Sequence, residues 1–125
     1  KIMDAFSLPK ATAEEKATRK QAIQDATVYA IEVPYSVMQL SLDAMQLIKQ
    51  MAEIGNPNSV SDAGVGALCA RTAVLGAFLN VQINAAGLSD KQLAADKIAA
   101  GQRLADAAQQ METEILDIVR NKING

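Results

Sequence analysis

The chain has 125 residues, half of them hydrophobic, which suits one domain with a substantial core. Basic and acidic residues are interspersed at a formal charge of -2, which excludes the concentrated cationic face of a nucleic-acid binder. With no histidine and a single cysteine, Cys69, the chain builds no common zinc site, no histidine-assisted nucleophile and no internal disulfide.

Aromatic residues make up only 3% of the sequence (Phe6, Phe78, Tyr29, Tyr35) and alanine is abundant, so helix is favoured over sheet. Thr12 with Glu15 forms a capping-box pattern that predicts a helix from Ala13, supported by the i,i+4 pair Glu15 and Arg19. Pro34 lacks an amide donor and restricts the residue before it, which predicts a break near Val33. A second helix is expected through Val37, Leu40, Ala44, Leu47, Ile48 and Met51, stopped by Gly55. The polar turn Gly55-Asn56-Pro57-Asn58-Ser59 then opens a third, apolar helix in which Ser61 and Asp62 read as the N-cap. From Asp62 to Asn84 its only formal charges are Asp62 and Arg71. Gly87 ends it, and Ser89 with Gln92 reads as the capping box of a fourth helix with a stripe of Leu104, Ala108, Met111, Ile115 and Ile118. No strand pattern competes, so the expected fold is all-α: an antiparallel bundle of about four helices in a single domain over residues 1–125.

The third helix carries one large-residue stripe (Val65, Leu68, Leu75, Leu79, Ile83) and one small-residue stripe (Gly66, Ala70, Ala73, Ala77). Both need partners, with further helices upstream or a second subunit as the two ways to cover the small-residue face. A membrane span is disfavoured because Arg71, Gln82 and the bounding asparagines interrupt the run. Cys69, midway along this helix, reads as a small hydrophobe in a reducing, cytoplasmic protein, and no signal-type leader follows Lys1. Gly64-Val65-Gly66 is no dinucleotide fingerprint, since Cys69 replaces the third glycine and no strand precedes it. Any catalysis must therefore use carboxylates, amides, hydroxyls, lysines or helix dipoles, without metal or cofactor.

Leu8-Pro9-Lys10, Thr12, Glu14-Glu15-Lys16, Val33-Pro34, Gly55-Asn56, Ser61-Asp62, Gly76-Ala77 and Asn80-Val81-x-Ile83-Asn84 run in one register through most of the chain. In identity and spacing they resemble the formiminotetrahydrofolate cyclodeaminase family, also called the cyclodeaminase/cyclohydrolase family. The resemblance implies an all-helical, dimeric domain of one-carbon metabolism that closes 5-formiminotetrahydrofolate to the 5,10-methenyl form with loss of ammonia; some relatives carry the cyclohydrolase name. It also implies that the family's catalytic aspartate falls upstream of Lys1, which makes the chain the later portion of such a domain, lacking the N-terminal helices. Asp4 does not take that aspartate's place.

Among the residues present, Asn56, Ser61, Asp62, Asn80 and Asn84 are the candidate substrate-binding set. Asp62 at a helix start suits stabilising a cationic product, against an ordinary N-cap role for Ser61 and Asp62. Asn56 suits a pterin or formimino contact, against turn chemistry, to which Asn58 is assigned. Asn80 and Asn84 lie one turn apart on one face with Ala73 and Ala77, lining a folate pocket or bridging to a second subunit. Arg71 has Asp62, an acidic neighbour or a folate carboxylate as possible partners. The cluster Lys10, Lys16, Arg19 and Lys20 reads as a solvated face more than a seat for folate's glutamate tail, and Tyr35 as core packing more than a pterin platform. The rival from another class is a non-catalytic helical oligomerisation module.

Overall fold

The computed structural model describes residues 1–125. Four α-helices, α1 (Ile2–Phe6), α2 (Ala13–Ile54), α3 (Val60–Ala85) and α4 (Lys91–Asn124), follow one another, with a single 3-10 turn at Pro57–Ser59 between α2 and α3. There is no strand. Helix α3 packs on both α2 and α4, α2 also touches α4, and the short α1 rests on α2.

The expected break at Pro34 does not occur. Helix α2 runs unbroken for 42 residues with Pro34 inside it, about 63 Å of helix. Proline leaves the carbonyl four residues back, that of Ala30, without its helical donor. Asn84 on α3 supplies one, donating from Nδ2 to Ala30 O at 3.4 Å. Ile31 and Met38, fully buried on either side, anchor both halves to one core. The two helices expected around Pro34 are thus one, and α1, unforeseen, restores the count to four.

The core follows a seven-residue repeat on every long helix. Ile31, Met38, Met45 and Ala52 of α2 meet Val60, Ala67, Val74 and Val81 of α3, continued by Leu88, and Ala94, Gly101, Ala108 and Ile115 of α4. A strict heptad keeps the same face inward on a slightly supercoiled helix, the geometry of left-handed bundles. Small side chains at most of these positions bring the backbones close. At Gly101 the approach is closest: a Cβ there would lie 2.5 Å from Cε2 of the buried Phe78 ring.

Helix ends are fixed by local hydrogen bonds, several as expected. Thr12 Oγ1 accepts from Glu15 N at 3.1 Å while Glu15 Oε2 accepts from Thr12 N at 3.1 Å. That turns Glu15 away from Arg19, which instead donates to Phe6 O and lies over its ring. Gly55 closes α2 at a point where any Cβ would collide with the Met51 carbonyl. At α4 the cap is Asp90, accepting from Leu93 N at 3.0 Å, and the Ser89 capping box is not formed. Ser89 N donates to Gln24 Oε1 at 2.7 Å, and Gln24 Nε2 donates to Gly87 O at 3.3 Å, so α2 clamps the α3–α4 turn through one side chain. Gln92 pairs with Asp96.

Three ion pairs link the helices: Lys49 with Glu114, Arg71 with Glu112, and Lys97 with Glu32. Lys49 Nζ lies 2.8 Å from Glu114 Oε2. The Lys49 ammonium is pushed above its ordinary value of 10.5, first by that hydrogen bond and then by the Glu114 charge. Glu114 is held below 4.5 by hydrogen bonds from Lys49 and from Gln110. A depressed carboxyl contributes stability above its unfolded value that is lost as pH falls through the folded one; a raised ammonium contributes below its unfolded value and loses it as pH rises through the folded one. Lys49→Met is accordingly expected to lower the thermal midpoint slightly at neutral pH. That difference from wild type fades as pH falls below 4.5 and on through the depressed value that Lys49 gives Glu114.

Helix α3 hides a different stripe from the expected one. Its buried residues are Val60, Gly64, Ala67, Val74, Ala77, Phe78, Val81 and Ala85. Val65, Leu68, Leu79 and Ile83 are 58%, 47%, 66% and 73% exposed. Cys69, expected inside, is exposed as well. The segment Pro57–Ala85 is long and apolar enough to cross a membrane by length and composition, and its buried side lies against α2 and α4. Gly76 stands on its open side, where an added Cβ meets nothing within 4 Å. Gly76→Ala is expected to raise the stability of the isolated chain by about 0.5–1 kcal/mol, read as an upward shift of the denaturation midpoint.

Candidate functional site

The α2–α3 surface facing away from α4 carries two depressions. The larger, about 890 Å³, lies between Tyr29, Ala30, Val33, Pro34 and Val37 of α2 and Ala73, Gly76, Ala77, Asn80 and Asn84 of α3, with Lys1 and Ile2 at its rim. Its walls are apolar except for the two asparagines, Tyr29 and Lys1. The smaller, about 370 Å³, is lined by Leu47, Ile48 and Met51 of α2, the turn residues Gly55, Asn56 and Ser59, and Asp62 and Ala63 of α3.

Asn80 and Asn84 share the larger cleft, as their spacing implied. Asn84 Nδ2 donates to Asn80 O at 2.8 Å and to Ala30 O, and Asn80 Nδ2 donates to Gly76 O at 3.1 Å. Both amide nitrogens are committed to backbone, which leaves the two Oδ1 atoms as acceptors for whatever enters. Tyr29, half exposed, offers a ring face, with Lys1 Nζ 3.9 Å from its centroid. Sequence reasoning missed Tyr29 and Pro34 as cleft residues. The signal was available in Pro34 itself, since a proline inside a helix frees a carbonyl that some donor must meet.

Asn56 and Asp62 sit at the other depression. Asn56 Oδ1 accepts from Asn58 N at 3.0 Å, the turn role, and leaves its Nδ2 free. Ser61 and Asp62 are not the N-cap: helix α3 begins at Val60 with Ser59 at the cap, so both lie in the first turn and are exposed. Ser61 lines neither depression. Asp62 and Asn80 are separated by 18 residues of helix, about 27 Å, so one chain does not gather the five candidate residues into a single pocket.

Arg71 meets an acidic neighbour and not Asp62. Its Nε lies 3.4 Å from Glu112 Oε2 on α4, within ion-pair reach but without the alignment of a hydrogen bond, while Nη1 donates to Oε1 at 3.5 Å. The only charge in the body of α3 is thereby turned away from the α2–α3 surface. Tyr35 is half-buried against the core with Lys97 over its ring, the packing role expected of it.

Fold and cleft together define an all-α bundle with an interhelical groove able to receive a small molecule, its polarity confined to two amides, the Tyr29 hydroxyl and the Lys1 ammonium. The family model described as formiminotransferase-cyclodeaminase matches residues 1–117, and the chain belongs to that family. It is 37% identical over 123 residues to a methenyltetrahydrofolate cyclohydrolase of Methylorubrum extorquens, covering 98% of this chain and 59% of that protein. To a formimidoyltransferase-cyclodeaminase of Gallus gallus it is 32% identical over 120 residues, covering 96% of this chain and 22% of that one. The corresponding protein of Mus musculus is 33% identical over 88 residues, 70% of this chain and 16% of its own length. The chain thus spans 59% of the Methylorubrum protein and under a quarter of the Gallus and Mus ones.

Proposed function

We propose that this chain forms the folate-binding part of a cytoplasmic one-carbon enzyme, a cyclodeaminase that converts 5-formiminotetrahydrofolate to 5,10-methenyltetrahydrofolate and ammonia. The N10 amine attacks the formimino carbon and forms the new C–N10 bond. The C–NH₂ bond then breaks as its nitrogen takes up a proton and leaves as ammonia, giving an amidinium cation. The observation that carries the reading is the larger cleft, where two free Oδ1 acceptors one helical turn apart stand beside the Tyr29 ring. A pterin is flat, stacks on such a ring, and presents amino and ring N–H donors along one edge. Asp62 and Asn56, at the other depression about 27 Å along α3, take no part in the cleft's contacts to the pterin. No metal or cofactor beyond the folate substrate is invoked, and neither nucleic acid nor membrane is a partner.

The likeness to the Methylorubrum protein favours a second reading, methenyltetrahydrofolate cyclohydrolase, in which water adds to the same carbon and the N5 bond opens. Both reactions act on the N5–C–N10 bridge and place the same demands on the cleft. Titration with tetrahydrofolate tests the shared part. Saturable binding that Asn80→Leu weakens by about tenfold, the loss of roughly one hydrogen bond to a desolvated ligand, is expected. Absence of binding, or binding indifferent to Asn80, overturns the cleft and leaves the oligomerisation module.

A further inference from the structure

We infer that Pro34 is a positioning residue: by freeing the Ala30 carbonyl it fixes the Asn84 amide with its nitrogen toward α2 and its oxygen toward the cleft, and so makes the cleft select ligands by their N–H donors. The orientation stands on the fold alone. The selection it imposes rests on the folate reading.

An asparagine amide turns about its last side-chain bond, and turning it exchanges a donor for an acceptor. The groups around it decide which way it faces. Asn84 Nδ2 lies 2.8 Å from Asn80 O and 3.4 Å from Ala30 O. Those two carbonyls are not equivalent. Asn80 O already has the backbone N–H of Asn84, four residues on in the same helix. Ala30 O has no helical donor, because the residue four places on is Pro34. Turning the amide would set Oδ1 against two carbonyl oxygens and leave one of them with no donor. Ala30 and Pro34 both line the cleft, so a ligand that fills it also keeps water from that carbonyl.

Asn80 supplies the contrast. Its Nδ2 meets Gly76 O, a carbonyl of its own helix that also has the Asn80 backbone N–H. Its amide turns without orphaning a group on another helix. Asn84 is thus the fixed acceptor of the cleft and Asn80 the adaptable one.

The fixed amide gives the cleft a preference of definite sign. A ligand group that donates meets Asn84 Oδ1 with a hydrogen bond, whereas a carbonyl in the same place sets oxygen against oxygen. The 2-amino group of a pterin is such a donor. A lumazine, in which oxygen replaces that amino group, is the matched ligand without it. A site that accepts a hydrogen bond from its ligand rejects the analogue lacking the donor more strongly than an apolar wall does.

Fluorescence titration with 6,7-dimethylpterin and 6,7-dimethyllumazine tests the selection. The wild-type chain is expected to hold the pterin about tenfold more tightly. In Pro34→Ala, residue 34 gives Ala30 O its backbone N–H and releases the Asn84 amide, so the two affinities are expected to fall within about twofold of each other. Loss of the proline ring itself weakens both ligands alike and leaves their ratio unchanged. Adding Asn84→Asp to Pro34→Ala puts an oxygen at both amide positions and is expected to restore the preference. A wild-type chain that treats the two ligands alike, an undiminished preference in Pro34→Ala, or no recovery with Asn84→Asp overturns the selection.

Side-chain amide hydrogen exchange, followed by NMR without ligand, tests the orientation. The Asn84 amide protons are expected to exchange about tenfold faster in Pro34→Ala while those of Asn80 keep their rate. Equal Asn84 rates in the two proteins overturn the positioning role. A wild-type chain that binds neither probe overturns the selection through the folate reading, and the exchange rates still decide the orientation.

Discussion

Phe78→Ala is expected to lower the stability of the bundle by about 3–5 kcal/mol, a large share of the 5–15 kcal/mol typical of a domain. The ring is buried at the α3–α4 contact and fills the space that Gly101 leaves open. With most heptad positions held by alanine, valine or glycine, no neighbouring side chain is long enough to fill the hole. Gly101→Leu attacks the same contact from the other helix, forcing atoms into the ring, with an expected loss of about 1–3 kcal/mol or more. The two effects are expected to offset one another in the double variant, because the leucine occupies the space the ring gave up. Urea denaturation of the four proteins measures this, and strictly additive losses would show that Gly101 and Phe78 do not meet.

Asn84→Leu is expected to cost about 1–3 kcal/mol, for a reason that lies on another helix. Its Nδ2 is the donor that meets the Ala30 carbonyl freed by Pro34, and leucine leaves that carbonyl without one. Pro34→Ala restores a backbone N–H at the right position, so Asn84→Leu should matter much less in that background. A denaturation cycle over Asn84 and Pro34 reads the difference as a coupling. If the cost of Asn84→Leu is the same with and without the proline, the side chain does not serve the freed carbonyl. In tetrahydrofolate titration Asn84→Leu also removes one of the two cleft acceptors, and Pro34→Ala is not expected to restore that.

Local signals in the sequence were sufficient where the physics is local. Thr12 and Glu15 cap α2 as their spacing implies, Gly55 stops it, and the Leu104–Ile118 stripe of α4 faces the core. Pro34 misled because its rule concerns only its own helix, whereas the donor that compensates at Ala30 sits 54 residues from it on another. Ser89 and Asp90 are both good caps, and the Gln24 clamp decides between them by engaging the Ser89 amide. The buried faces of α2 and α3 were misassigned because the largest apolar side chains drew attention to Leu40, Leu47, Leu68 and Leu79. The inward positions of α3 repeat every seven residues in smaller ones, and those of α2 in Ile31, Met38, Met45 and Ala52. For the candidate site, one-turn spacing located Asn80 and Asn84 in a cleft, but the length of α3 keeps Asn56 and Asp62 at its other end.

Met38 and Met45 occupy successive inward positions of α2 with no exposure. Peroxide therefore reaches their sulfurs only in molecules whose helices have parted, and sulfoxide formed there introduces a polar group that hinders re-closure. Oxidative damage to this protein would accumulate first in the chains that breathe most, converting transient opening into permanent loss.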